Sequence, residues 1–96
     1  MYELVIPNSV EKDIRRLDKP IERELHEHHL VILKEDPYKG EPLRGALKGV
    51  WSYHFTFRSA QYRIAYEILE SRRVLLLVMI GKRGDFYQAL ARRLGF

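Results

Sequence analysis

No cysteine occurs among the 96 residues. That excludes a disulfide, a thiol nucleophile and every thiolate metal site, and it fits a reducing compartment. Metal ligands are then limited to histidine and carboxylate. Long apolar runs are missing too: the longest covers residues 74–80, far short of the about 20 residues a membrane helix needs, so no membrane partner is expected. The N-terminus sets Glu3 and Glu11 to Asp13 around a short apolar run, without the basic start of a secretory signal, and the expected location is the cytoplasm. No glycine-rich phosphate loop follows a strand, and Ser52, Ser59 and Ser71 lack the context of a nucleophile elbow. The acids of the C-terminal part, Glu41, Glu67, Glu70 and Asp85, are too scattered for a two-metal phosphoryl site. Repeats, linkers and low-complexity segments are absent, so residues 1–96 read as one domain with a single modest core, too small for a large cofactor.

What is present is charge, unevenly spread. Residues 1–39 hold seven Lys or Arg against nine Asp or Glu, whereas residues 40–96 hold ten against four. A basic half implies an anionic partner, nucleic acid first, or else a solubilising surface. In the same half, Trp51, Tyr53, Phe55 and Phe57 alternate with Ser52, His54, Thr56 and Arg58. A strand sends the two sets to opposite faces. The next run divides likewise, Tyr62, Ile64, Tyr66 and Ile68 against Arg63, Ala65 and Glu67. Residues 74–80 are apolar throughout, as a strand buried on both sides requires, and lead into Gly81, Lys82, Arg83 and Gly84.

The N-terminal part reads as residues 2–6 in a strand, then a helix over residues 8–17 with Asn8 and Glu11 as a capping box. A second helix restarts at Lys19 and Pro20, buries Ile21, Leu25, Ile32 and Leu33, and stops before Pro37. Residues 37–49 form a loop. Hairpins at Ser59 and Ala60 and at residues 70–73 join three strands into an antiparallel meander, and Phe86, Leu90 and Leu94 are spaced for a last helix. The predicted class is α+β: strand, two helices, three-strand meander, C-terminal helix. The helices cover one face of the small sheet and leave the other to solvent or a partner.

The cluster His26, Glu27, His28, His29 fails the spacing of a zinc helix, because Leu30 stands four residues after His26. It reads as a polar helix surface. The polar sheet face is the stronger candidate, with His54, Thr56, Arg58, Arg63 and Arg83, Arg44 before the strands and Tyr87 after them. Arginine forks hold phosphate oxygens, histidine exchanges protons near neutral pH, and an aromatic ring stacks on unpaired bases. Together these make a metal-free and cofactor-free RNA-cleaving site. The plainer alternative is that edge charges deter aggregation while Tyr87 packs.

From Leu43 to Leu94 the chain resembles the RelE/ParE superfamily of toxins from type II toxin-antitoxin pairs. The resemblance rests on Leu43, Arg44, Gly45; on Arg58, Ser59, Ala60, Gln61, Tyr62, Arg63 with Tyr66; and on Gly81, Lys82, Arg83 followed by Tyr87. Resemblance to the RelE branch implies an mRNA interferase that enters the A site of a 70S-type ribosome and cuts messenger RNA through attack of the RNA's own 2′-hydroxyl. It further implies that Arg63 and Arg83 stabilise the phosphate, that Arg44 positions RNA, and that Tyr87 stacks or moves a proton. Lys48, Thr56, Arg58 and Lys82 complete the RNA-contacting set. Where RelE proteins usually carry two lysines, this chain has His54 and Thr56. His54 is therefore the expected general base or acid, and Thr56 a hydrogen-bond donor to phosphate. ParE-like members poison DNA gyrase instead, the alternative activity. Either branch implies a cognate antitoxin, with displacement of the C-terminal helix as an inhibition route.

Overall fold

A computed structural model describes residues 1–96. Five strands, β1 (Glu3–Val5), β2 (Glu41–Pro42), β3 (Trp51–Phe57), β4 (Ala60–Leu69) and β5 (Val74–Lys82), form one sheet in the order β1-β5-β4-β3-β2. Four helical segments accompany them: α1 (Asn8–Arg15), α2 (Lys19–Glu24), α3 (Leu30–Glu35) and α4 (Phe86–Arg93). The α+β meander read from the sequence is the observed one, with β1 added in parallel to β5.

Local chemistry departs from expectation at several points. The first helix is capped by the extended Pro7, whose carbonyl accepts from the backbone N–H groups of Val10 and Glu11 at 3.0 Å; Asn8 is already helical and makes no side-chain cap. The capping box is therefore not formed. The second helix is interrupted between α2 and α3 by a π turn over Leu25–His29. A π turn adds one residue to the helical repeat. Leu25 and Leu30, five positions apart, consequently both reach the core, and Ile32, expected there, is pushed outward to 37% exposure. The loop 37–49 contains the two-residue β2 and two short 3-10 turns. The first hairpin turns on Arg58 and Ser59, both at positive φ, one residue earlier than read, so that Phe57 pairs with Ala60.

One face of the sheet packs on α1, α2 and α3. Phe55, Tyr62, Ile64, Tyr66, Leu75, Leu77 and Ile80 meet Val10, Ile14, Ile21, Leu25, Leu30 and Leu33 in the main core. His29 is part of this seam, stacked on Phe55 with ring centroids 3.9 Å apart and its Nδ1 2.7 Å from the Tyr53 hydroxyl. Burial holds its imidazole below the usual histidine range.

The second face is not left free. Phe86 and Leu90 of α4 pack with Ala65 and Val50 in a smaller cluster, which covers part of that face. Helices on both faces meet around the outer edge of β5. There β1 stops at the Val5–Leu76 pair, and the bare edge beyond it is closed by side chains. Asp13 Oδ2 accepts from the Ile80 N–H at 3.0 Å and from Arg93 Nη1 at 2.6 Å, Oδ1 accepts from Arg93 Nη2 at 2.9 Å, and Arg93 Nη1 also donates to the Val78 carbonyl at 3.0 Å. An edge strand needs such cover.

Candidate functional site

Strand register builds the site in rows. Residues directly opposite in an antiparallel pair project to the same face, about 5 Å apart. The β3-β4 register sets His54 opposite Arg63 and Thr56 opposite Gln61; the β4-β5 register sets Arg63 opposite Gly81. The Arg83 N–H donates to the Gln61 carbonyl at 3.0 Å, which extends the second row to Arg83. His54, Arg63 and Gly81 thus make one row, and Thr56, Gln61 and Arg83 the next. The Arg83 Nη1 lies at the 3.5 Å limit from Gln61 Oε1.

Above these rows stands Tyr87, in the first turn of α4 and 37% exposed. Arg63 Nη1 donates to its hydroxyl at 3.2 Å, the Arg63 guanidinium carbon lies 5.2 Å from the ring centroid, and Ser52 Oγ is also 3.2 Å from the hydroxyl. The Phe86 ring meets Tyr87 edge to face at 5.6 Å and anchors it in the small core. No carboxylate pairs with Arg63 or Arg83: the ion pairs of the chain lie on the N-terminal helices, at Glu70 and at Asp13. Two arginines without acidic partners keep most of their N–H donors for an anion, beyond the single side-chain bond each makes to Tyr87 or Gln61, and a phosphate is the geometry that fits their forks.

Five of the sequence-read residues, His54, Thr56, Arg63, Arg83 and Tyr87, therefore share one face. Two others do not. Lys82 pairs with Tyr62 and so takes the parity of the helix side; the cavity of about 490 Å³ that it lines with Arg16 and Asp18 runs around the end of β5, where Arg83 also borders it. Arg58, in the hairpin turn, lies with its guanidinium carbon 5.1 Å from the Phe57 ring centroid, also on the helix side, beside Asp18 and Pro20. Arg44 and Lys48 flank a 3-10 turn and are exposed, while Leu43 and Leu47 tie their loop to the small core under α4. The histidine cluster is divided by the π turn: His26 and His28 are exposed, and both ring nitrogens of His29 are engaged by Tyr53 and Glu24.

Sequence reading assigned no site role to Ser52 or Gln61. Both share the parity of the polar face, which is the signal that finds them once the turn is placed at Arg58 and Ser59.

No relative of curated function matches the sequence. Among solved structures, the chain is similar to one in the RelBE2 toxin-antitoxin complex of Mycobacterium tuberculosis, with a TM-score of 0.77, 23% identity, and 85% of this chain and 98% of that one covered. It is similar to the isolated E. coli RelE toxin, with a TM-score of 0.69, 25% identity, and 98% and 99% covered. It is also similar to a chain of the intact E. coli RelBE toxin-antitoxin complex, with a TM-score of 0.69, 26% identity, and 88% and 99% covered. Residues 4–91 match the family model described as the ParE-like toxin of type II bacterial toxin-antitoxin systems, and the chain belongs to that family.

Proposed function

We propose that this toxin is a ribosome-dependent mRNA endoribonuclease that cuts the message in the ribosomal A site and so arrests translation and growth. The observation that carries the reading is the pair of cross-strand rows, which set His54 beside Arg63 and Arg83 on the same face, under a tyrosine held by Arg63. In the reaction the 2′-hydroxyl of one nucleotide attacks the adjacent phosphorus, its proton passes to a base, and the 5′-oxygen of the next nucleotide leaves with a proton from an acid. The products are a 2′,3′-cyclic phosphate and a 5′-hydroxyl. His54 exchanges one of these protons, Arg63 and Arg83 stabilise the pentavalent phosphorane, and Tyr87 stacks on a base or serves the second proton. Thr56 donates to a phosphate oxygen, and Arg44 and Lys48 hold the flanking RNA backbone. No step needs a metal. The face is open, so the ribosome supplies the opposing wall that fixes the message in line.

A cognate antitoxin is the second partner. Both RelBE relatives were solved as toxin-antitoxin complexes, and acidic segments of such a partner suit the basic half of this chain. The place of action is the cytoplasm, where ribosomes are.

The test adds purified protein to messenger RNA, naked and on translating 70S ribosomes, with Arg83→Ala as control, and maps new RNA ends. Cuts that require ribosomes and vanish in the variant are expected. The ParE-like name of the family model, together with His54 and Thr56 in place of two lysines, supports a second reading, poisoning of DNA gyrase. Absence of RNA cuts combined with gyrase-dependent DNA breaks would replace the first reading with the second.

A further inference from the structure

Ser52 is one of only two buried polar or charged residues in the chain, at 4% exposure. It lies opposite Ala65 across the β3-β4 pair, beneath α4. A buried hydroxyl without a partner costs roughly 1–3 kcal/mol, and no buried side-chain polar atom here lacks one. For Ser52 the side-chain partner is the Tyr87 hydroxyl, 35 positions away in sequence and 3.2 Å away in space. Arg63 donates to the same phenol from the other side. The phenolic oxygen is therefore fixed between a buried serine and a cation of the His54 row. The other exposed tyrosine, Tyr38, shows no such two-sided capture and gives its hydroxyl to Glu70.

We propose that Ser52 is a positioning residue for Tyr87. Its hydroxyl, reaching up from the floor of the sheet, sets the height and direction of the phenol over Arg63. The phenol thereby meets RNA already ordered and does not swing on its χ1 axis. This rests on the nuclease reading for its catalytic consequence but not for its structural one. A hydrogen bond of this kind restricts one rotor, and misplacement of a reacting group by about 1 Å costs up to a hundredfold in rate. Because Ser52 touches no substrate atom, its loss lowers turnover through Tyr87 and leaves RNA capture to the arginines.

Two readouts on the full chain test this. In the first, NMR with labelled tyrosine and arginine measures nuclear Overhauser contacts between the Tyr87 ring and the Arg63 side chain. These are expected to weaken in Ser52→Ala and to persist in Ser52→Thr, which keeps the hydroxyl. In the second, cleavage on translating ribosomes is followed for Ser52→Ala, Tyr87→Phe and the double variant. The expected result is about a tenfold fall in kcat at unchanged KM for Ser52→Ala, and a double variant no slower than Tyr87→Phe alone. Contacts that survive Ser52→Ala, or losses that multiply in the double variant, overturn the proposal. If wild-type protein cuts no RNA, the nuclease reading falls, and the Tyr87-Arg63 contacts alone decide whether Ser52 holds the ring.

Discussion

Replacing Arg93 with alanine is the most informative single perturbation of the fold. The Asp13 side chain is 5% exposed and the Arg93 side chain 29%. Arg93→Ala removes two charge-assisted bonds to the carboxylate and one to the Val78 carbonyl. It leaves Asp13 buried as an anion with only the Ile80 N–H, at 3.0 Å, to hold it. Breaking a buried pair by removing one partner costs about 3–5 kcal/mol. The partial exposure of Arg93, and the bond that Ile80 keeps, reduce that to about 2–3 kcal/mol. The Asp13 carboxylate also raises the pKa of the Arg93 guanidinium, the sign expected of a favourable pair.

For a domain of this size each kcal/mol shifts the unfolding midpoint by about 4–8 °C, so a fall of about 10–20 °C is expected. Circular dichroism melts, with urea unfolding as a second measure, read it directly. Asp13→Ala should cost about 2 kcal/mol, because Arg93 can turn to solvent while the Ile80 N–H is left without an acceptor. In the double variant the losses should fall short of additivity by at least about 1 kcal/mol. A midpoint within about 3 °C of wild type for Arg93→Ala, or additive losses, would refute the view that this pair locks α4 to the sheet edge.

Three other outcomes are expected. Hydrogen bonds from Tyr38 and then Tyr2 hold the Glu70 carboxylate below its ordinary value of 4.5. A depressed acid stabilises the fold above its unfolded pKa and loses that contribution as the pH falls through the folded one, so melts should worsen below pH 4.5. Glu70→Gln should remove this step. Gly40→Ala should destabilise by about 2 kcal/mol in urea unfolding, because the added Cβ collides with the Tyr66 hydroxyl and lies 2.7 Å from the Ser52 carbonyl oxygen, which is backbone and cannot yield. In the ribosomal assay His54→Ala should slow cleavage about a hundredfold; an unchanged rate, with Arg83→Ala inactive, would remove His54 from the chemistry.

The alternation of aromatic and polar residues in β3 and β4 made the sheet and its polar face legible, because a period of two has only one structural reading at that length. Contacts closed by distant segments were not legible. Asp13 and Arg93 lie 80 positions apart and look like ordinary helix-surface charges. The π turn was hidden because Leu30, Ile32 and Leu33 are all apolar, so that spacing alone could not say which of them faces inward. The first hairpin turns one residue earlier than its sequence suggests, since Arg58 and Ser59 adopt positive φ without glycine, which propensity does not anticipate. The direction of Arg58 followed from this turn, and composition merely counted it as a cation.

The uniform run of residues 74–80 concealed the feature that aims Arg83. Tyr66 pairs with Leu77 and Ala65 with Met79, so Val78 is an extra residue in β5. A bulge of this kind flips the parity of everything after it. Leu75 and Leu77 face the main core, yet beyond Val78 it is Ile80 that does so, and Gly81 falls opposite Arg63 on the other face. Without the bulge, Gly81 and Arg83 would share the parity of Leu75 and Leu77 and turn toward α1. The Val78 carbonyl and the Ile80 N–H, which the bulge leaves at the edge, are the two backbone groups that Arg93 and Asp13 satisfy. Edge lock and candidate face are thus one construction. Deleting Val78 should abolish cleavage, either by returning Arg83 to the helix side or, if Ile80 holds its place in the core, by unpairing β5 from β4 near Leu77. Amide hydrogen exchange separates these outcomes, since only the second exposes the β4-β5 ladder. A deletion variant that keeps both its protected ladder and its wild-type cleavage rate would show that the bulge does not aim Arg83.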